Sequence, residues 1–251
     1  MFPIRDDNPK LSRSLVTVAI VAANALAWAL VQGLGTEPAL SRSVCELGAI
    51  PGELFGRVAP GTAVPLGPGM ACVIDPVADW RTPFTHMFLH GGWFHLVGNL
   101  WFLWVFGDNV EDAMGGARFA VFYLLCGLAA FAAQAASGPG SAIPMVGASG
   151  AIGGVMGAYA RLYPRAPVHL LIVYFVWVDR TVVPAFLMLG YWFVIQVLGG
   201  IPALASEAGG VAFWAHVGGF LAGILLVPVF SKPERLAAHR ALIARGARDA
   251  R

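Results

Sequence analysis

Ser149 stands in Gly147-Ala148-Ser149-Gly150, where a Gly/Pro/Ser loop meets an apolar, glycine-dotted stretch. A second apolar stretch downstream carries one histidine, in Ala215-His216-Val217-Gly218-Gly219. Polar groups at membrane depth are costly and cluster at functional sites. A serine hydroxyl becomes a useful nucleophile only when a base accepts its proton, and an imidazole is the usual base. The pair therefore points to a hydrolase whose nucleophile works inside a bilayer. If Ser149 opens a helix, the unpartnered first-turn N–H groups lie beside it, and the dipole there favours negative charge. That is the chemistry of an oxyanion site. Taken singly, Ser149 reads as a helix N-cap and His216 as a histidine bonded to a carbonyl. The glycine context and the presence of both reverse that weighting.

A third cluster runs from Trp80 to Asn99 and holds Arg81, His86, His90, His95 and Asn99. His95 and Asn99 are four apart, so on a helix they share a face, and both can donate to an oxyanion. Metal or haem ligation by His86, His90 and His95 is the rival reading. It lacks clustered carboxylate or cysteine partners, so no metal and no cofactor is expected. His86 and His90 are expected to hold a loop onto the bundle. No carboxylate is placed to complete a triad. Glu207 is the nearest acid on the same side, and a dyad is simpler.

These residues need elements that bring them together. The chain has 251 residues, 58% hydrophobic and 12% charged, with a formal net charge of +2. A soluble domain carries about 25% charge. The composition is that of a polytopic membrane protein, and the small net charge gives no nucleic-acid partner. Charge-free windows, one of them split by Ser137-Gly138-Pro139-Gly140-Ser141, give six spans near 14–35, 93–113, 116–136, 149–163, 182–201 and 212–230. The fold class expected is thus all-α: a six-transmembrane-helix bundle with a large outer loop, 36–92, between the first two helices. Residues 1–13 read as a cytoplasmic N-terminal tail, 14–230 as the membrane domain and 231–251 as a basic cytoplasmic C-terminal tail. The short fourth span covers only about 20 Å, so Ser149 must start below the membrane surface. Residues 166–178 are apolar but too short to span and read as an interfacial or re-entrant connection, with an extended chain as one form of it. A short interfacial helix is expected around 52–57.

With an inside N-terminus, thirteen Lys/Arg fall on the inside and three, Arg42, Arg57 and Arg81, outside. That asymmetry sets both termini in the cytoplasm. Cys45 and Cys72 fall in the outer loop, a pair able to form a disulfide in an oxidising compartment. Glycines four apart, Gly150/Gly154 and Gly153/Gly157 on the fourth span and Gly219/Gly223 on the sixth, let two helix backbones approach closely. Packing them together brings Ser149 and His216 within hydrogen-bond reach.

Taken in order, Trp80-Arg81, His90, the His95 to Asn99 spacing, Phe106-Gly107 with Glu111, Gly147-Ala148-Ser149-Gly150, and Ala215-His216 with Gly219 and Gly223 resemble the rhomboid family of intramembrane serine proteases. The resemblance covers roughly residues 12–230. It implies a Ser149/His216 dyad and an oxyanion site from His95, Asn99 and the Ser149 N–H. Arg81, His90, Glu111, Gly150, Gly153, Gly219 and Gly223 then take structural parts. It implies cleavage of single-span or polytopic membrane proteins near their outer end, in a bacterial plasma membrane. The fifth span and residues 202–211 would act as gate and cap. Some family members carry an aromatic residue where this chain has Gly153, leaving Phe213, Trp214 and Tyr159 as alternative surfaces for the imidazole. The competing function is a catalytically silent member of the fold that binds client helices. Such relatives usually lose the serine or the histidine, and this chain keeps both.

Overall fold

The computed structural model describes residues 2–67, 70–174, 177–204 and 210–249. In chain order the elements are β1 (Phe2–Asp6), α1 (Leu15–Leu30), α2 (Ala39–Leu47), α3 (Pro51–Leu54), β2 (Ala63–Gly67), β3 (Met70–Val73), α4 (Thr82–Thr85), α5 (Trp93–Met114), α6 (Gly116–Ser137), α7 (Ser149–Leu162), β4 (Pro167–Tyr174), β5 (Trp177–Pro184), α8 (Ala185–Ala203), α9 (Phe213–Phe230) and α10 (Pro233–Asp249). Among the described residues α6, α8 and α9 are long and apolar enough to cross a membrane; α1 is a shorter apolar helix of 16 residues.

Helix α7 is the axis of the bundle. Every residue from Gly150 to Tyr159 is buried, as expected of a helix that is apolar and small all round. It packs against α5, α6, α8 and α9. A Cβ on Gly219 would fall on the carbonyl of Gly150, and one on Gly223 on the carbonyl of Gly154. Only glycine permits that approach. The bare Cα atoms of Gly150 and Gly154 face Ala130 and Cys126 of α6 instead, so this stripe seats a second neighbour.

The cytoplasm-facing end expected from the sequence is tied by buried acids. The Glu111 carboxylate, 4% exposed, accepts from the N–H of Val16 (3.0 Å) and Thr17 (2.7 Å) and from the Thr17 hydroxyl (2.8 Å). It caps the first turn of α1 from the last turns of α5, satisfying orphan donors at the positive end of the helix. Asp112 accepts from Leu11 N–H at 2.7 Å and from Ser12, and pairs with Arg235 at 3.3 Å.

The all-α expectation is corrected by two small sheets. Strands β4 and β5 pair antiparallel, and β1 adds to β4 antiparallel, in the order β1-β4-β5. The β4–β5 pair is rich in β-branched residues (Val168, Val173, Val178, Thr181, Val182, Val183), which favour a pleated chain over a helix. Its inward residues Val168 and Leu170 join the core with Phe106, Tyr159 and Leu189. Residues 2–6 are therefore not a free tail. The stretch 36–92 contains α2, α3, the antiparallel pair β2–β3 and α4, with Cys45 and Cys72 joined as a disulfide. The short helix expected near 52–57 is Pro51–Leu54.

Candidate functional site

Ser149 is the first residue of α7, and His216 lies in the first turn of α9. The Ser149 Oγ and His216 Nε2 are 2.7 Å apart, across 67 residues of sequence. The α7–α9 glycine seam sets this distance, since both side chains leave from the same end of two touching helices. The first turn of α9 is held by α6, where Gln134 Oε1 accepts the Ala215 N–H at 3.2 Å. Ser149 and His216 are both half-buried, so the pair is neither sealed nor bare.

His95 and Gly147 meet above the serine. A Cβ on Gly147 would lie 2.7 Å from His95 Nε2, and Gly147 has φ +129°, so both space and backbone demand glycine. The Gly91 N–H donates to His95 Nδ1 at 3.2 Å. That bond makes Nδ1 an acceptor, leaving the proton on Nε2, the nitrogen that faces the loop before Ser149. Asn99 sits one turn below; its Nδ2 donates to the His95 carbonyl at 2.9 Å and keeps one further amide hydrogen. The first N–H groups of α7 have no partner inside the helix. Serine, imidazole, the His95 ring and the first N–H groups of α7 thus meet at one helix end, the arrangement that acyl transfer uses.

The remaining sequence-derived residues act at a distance. His90 is fully buried, and its main chain exchanges two 2.8 Å bonds with the Gln32 side chain. Its ring lies edge-on to His95 at 5.1 Å. The His86 carbonyl accepts the Gly147 N–H at 2.9 Å, and burial pushes its imidazole down to about 4. Both hold the chain between α1 and α5 against the site. The same stretch also pairs Ala49 with Met145 in both directions (3.0 and 2.8 Å), bracing the segment that leads to Ser149. Arg81 does not reach the bundle: its side chain is 81% exposed and pairs with Asp79. No group of three metal-ligating residues occurs among the described residues. Glu207 and much of the 202–211 loop lie outside them.

Two side chains at the site were missed. His216 Nδ1 is 2.7 Å from Gln196 Oε1, and the Trp192 ring lies 5.7 Å from the imidazole, tilted by 37°. Trp192 thus occupies the place assigned to Phe213, Trp214 or Tyr159. Trp214 instead donates to the Gly200 carbonyl at 3.0 Å, and Phe213 packs on Gly199. Tyr159 lies ten residues along α7 from Ser149, about 15 Å at helical rise, and bonds Asp6. The signal for Gln196 was a carboxamide in a span with no charge, the same rule that singled out Ser149.

Fold and site define an integral membrane protein in which a serine hydroxyl meets an imidazole. The chain belongs to the rhomboid family: the family model described as Rhomboid domain matches residues 78–233. The family includes serine intramembrane proteases. The chain is similar to "Rhomboid protein 1, mitochondrial" of Saccharomyces cerevisiae, 31% identical over 170 residues, covering 63% of this chain and 44% of that protein. It is similar to "Rhomboid-like protein 11, chloroplastic" of Arabidopsis thaliana, 30% identical over 162 residues, 61% of this chain and 53% of that one. Over 80 residues it is 39% identical to "Rhomboid protease GluP" of Bacillus subtilis, 32% of this chain and 15% of that one. The chain spans about half the length of the first two relatives.

Proposed function

We propose that this chain is an intramembrane serine endopeptidase that cleaves transmembrane substrates with a Ser149/His216 dyad. The 2.7 Å bond between Ser149 Oγ and His216 Nε2 carries the reading. In the mechanism it supports, His216 Nε2 takes the hydroxyl proton as Oγ attacks the peptide carbonyl. The tetrahedral oxyanion takes hydrogen bonds from the Ser149 N–H, His95 Nε2–H and Asn99 Nδ2–H. The imidazolium returns the proton to the leaving amine, and water, activated by the same nitrogen, hydrolyses the acyl-enzyme.

The six-span reading assigns α1, α5, α6, α7, α8 and α9 to the bilayer, both termini to the cytoplasm and the outer loop to the other side, in a bacterial plasma membrane. The Lys/Arg asymmetry supports that orientation. The partially exposed state of Ser149 and His216 supports access for water from the outer side. A substrate segment would approach past α8, with the chain before α9 as cap. The test is labelling by a fluorophosphonate probe in lipid. Wild type is expected to label and Ser149→Ala not. No labelling and no proteolysis in wild type would favour the silent, helix-binding role.

A further inference from the structure

We propose that Gln196 is a positioning residue that holds His216 in the one tautomer a general base needs. The proposal rests on the Ser149/His216 reading above and adds a third, uncharged member to it. Gln196 is 7% exposed and is the one carboxamide in α8. Its Nε2 donates to the Trp192 carbonyl of its own helix at 3.3 Å, and its Oε1 meets His216 Nδ1 on α9 at 2.7 Å.

These two bonds orient the amide. A carbonyl only accepts, so the amide NH2 must face Trp192 and the amide oxygen must face the imidazole. The flipped amide would set two oxygens against each other at Trp192. An oxygen also only accepts, so Nδ1 carries the proton. The other nitrogen, Nε2, is left with its lone pair toward the Ser149 hydroxyl, 2.7 Å away. The bond therefore runs between helices and ends on the atom opposite the one that takes the serine proton. Trp192, one turn back on α8, adds a ring 5.7 Å from the imidazole, so one helix fixes both its proton and its plane. A carboxylate would hold the imidazole more strongly but is costly to bury in a bilayer. A neutral amide orients the ring with no charge to desolvate.

Gln196→Met keeps the side-chain length and removes the acceptor; Gln196→Glu keeps the acceptor. The full chain in proteoliposomes is assayed with a tagged single-span substrate. Gln196→Met is expected to lower kcat about tenfold, the worth of one neutral hydrogen bond, with KM unchanged and only a small drop in the unfolding midpoint from the unpartnered Nδ1–H. Gln196→Glu is expected to return kcat to within a few-fold and to move the acid limb of the pH–rate profile upward, because a nearby negative charge favours the imidazolium. Histidine-labelled 15N NMR should show a protonated Nδ1 and an unprotonated Nε2 at His216 in wild type, and a tautomer mixture in Gln196→Met. Wild-type kcat and a single Nδ1–H tautomer in Gln196→Met would overturn the proposal. So would equal losses in both variants with a lowered unfolding midpoint, the mark of a packing role. The NMR reading needs no turnover: an inert wild type whose tautomer still depends on Gln196 would uphold the positioning and overturn the peptidase reading.

Discussion

Gly219→Ala is the sharpest perturbation of the α7–α9 seam. The added methyl would fall on the Gly150 carbonyl, which is backbone inside a helix and cannot swing aside. The added Cβ would lie 1.9 Å from that oxygen; ordinary contacts lie at about 3.5–4 Å, so α7 and α9 must part by about 1.5–2 Å. Ser149 and His216 ride on those two helices, and their 2.7 Å bond would open beyond hydrogen-bonding range. Overpacking of this kind costs about 1–3 kcal/mol, which leaves a folded protein, while a misplacement near 1 Å at a reacting pair costs about 10²-fold in rate. The expected result is a folded variant with kcat down about a hundredfold in proteoliposomes. Gly190→Ala is the control, because nothing lies within 4 Å of a Cβ at that position on α8. It should keep full activity and gain slightly in stability from helix propensity. Wild-type turnover in Gly219→Ala, or equal losses in both variants, would refute the role given to the seam.

Glu111→Ala removes the acceptor for two N–H groups and a hydroxyl at the start of α1. It should cost about 2–4 kcal/mol, seen as a lower unfolding midpoint, with residual activity in the folded fraction. Docking of β1 should weaken as pH rises. Burial raises the Asp6 carboxyl from 3.8 to about 6, against the opposing effects of its Tyr159 bond and of Lys10. The docked strand therefore holds its proton more tightly than a free one. Its contribution is whole below about pH 4 and is lost as pH passes about 6. Hydrogen exchange of residues 2–6 should speed up over that interval in wild type and stay flat in Asp6→Asn; a flat wild type would contradict the assignment.

Ser149, His216 and the helices were legible because hydroxyl and imidazole stand out in charge-free windows. Proline and glycine broke the longest window at 137–144, where the structure has the loop between α6 and α7. The contacts of the pair were not legible, even where a polar residue stood out in a span. Gln196 lies 20 residues from His216, and only the packing of α8 on α9 brings it to Nδ1. Trp192 was missed because an aromatic residue was sought on α7 and α9, whereas α8 supplies it. The β1–β4 pairing joins Phe2 to Leu171, a non-local ladder that no local pattern in a polar tail announces. Glu111 was picked out by resemblance alone; its work as a cap on α1 depends on where α5 ends in space.

The most direct measurement is co-expression with a panel of tagged single-span membrane proteins, comparing wild type with Ser149→Ala and His216→Ala at matched membrane levels. Cleavage in wild type and in neither variant is expected; cleavage that persists in both would contradict the dyad.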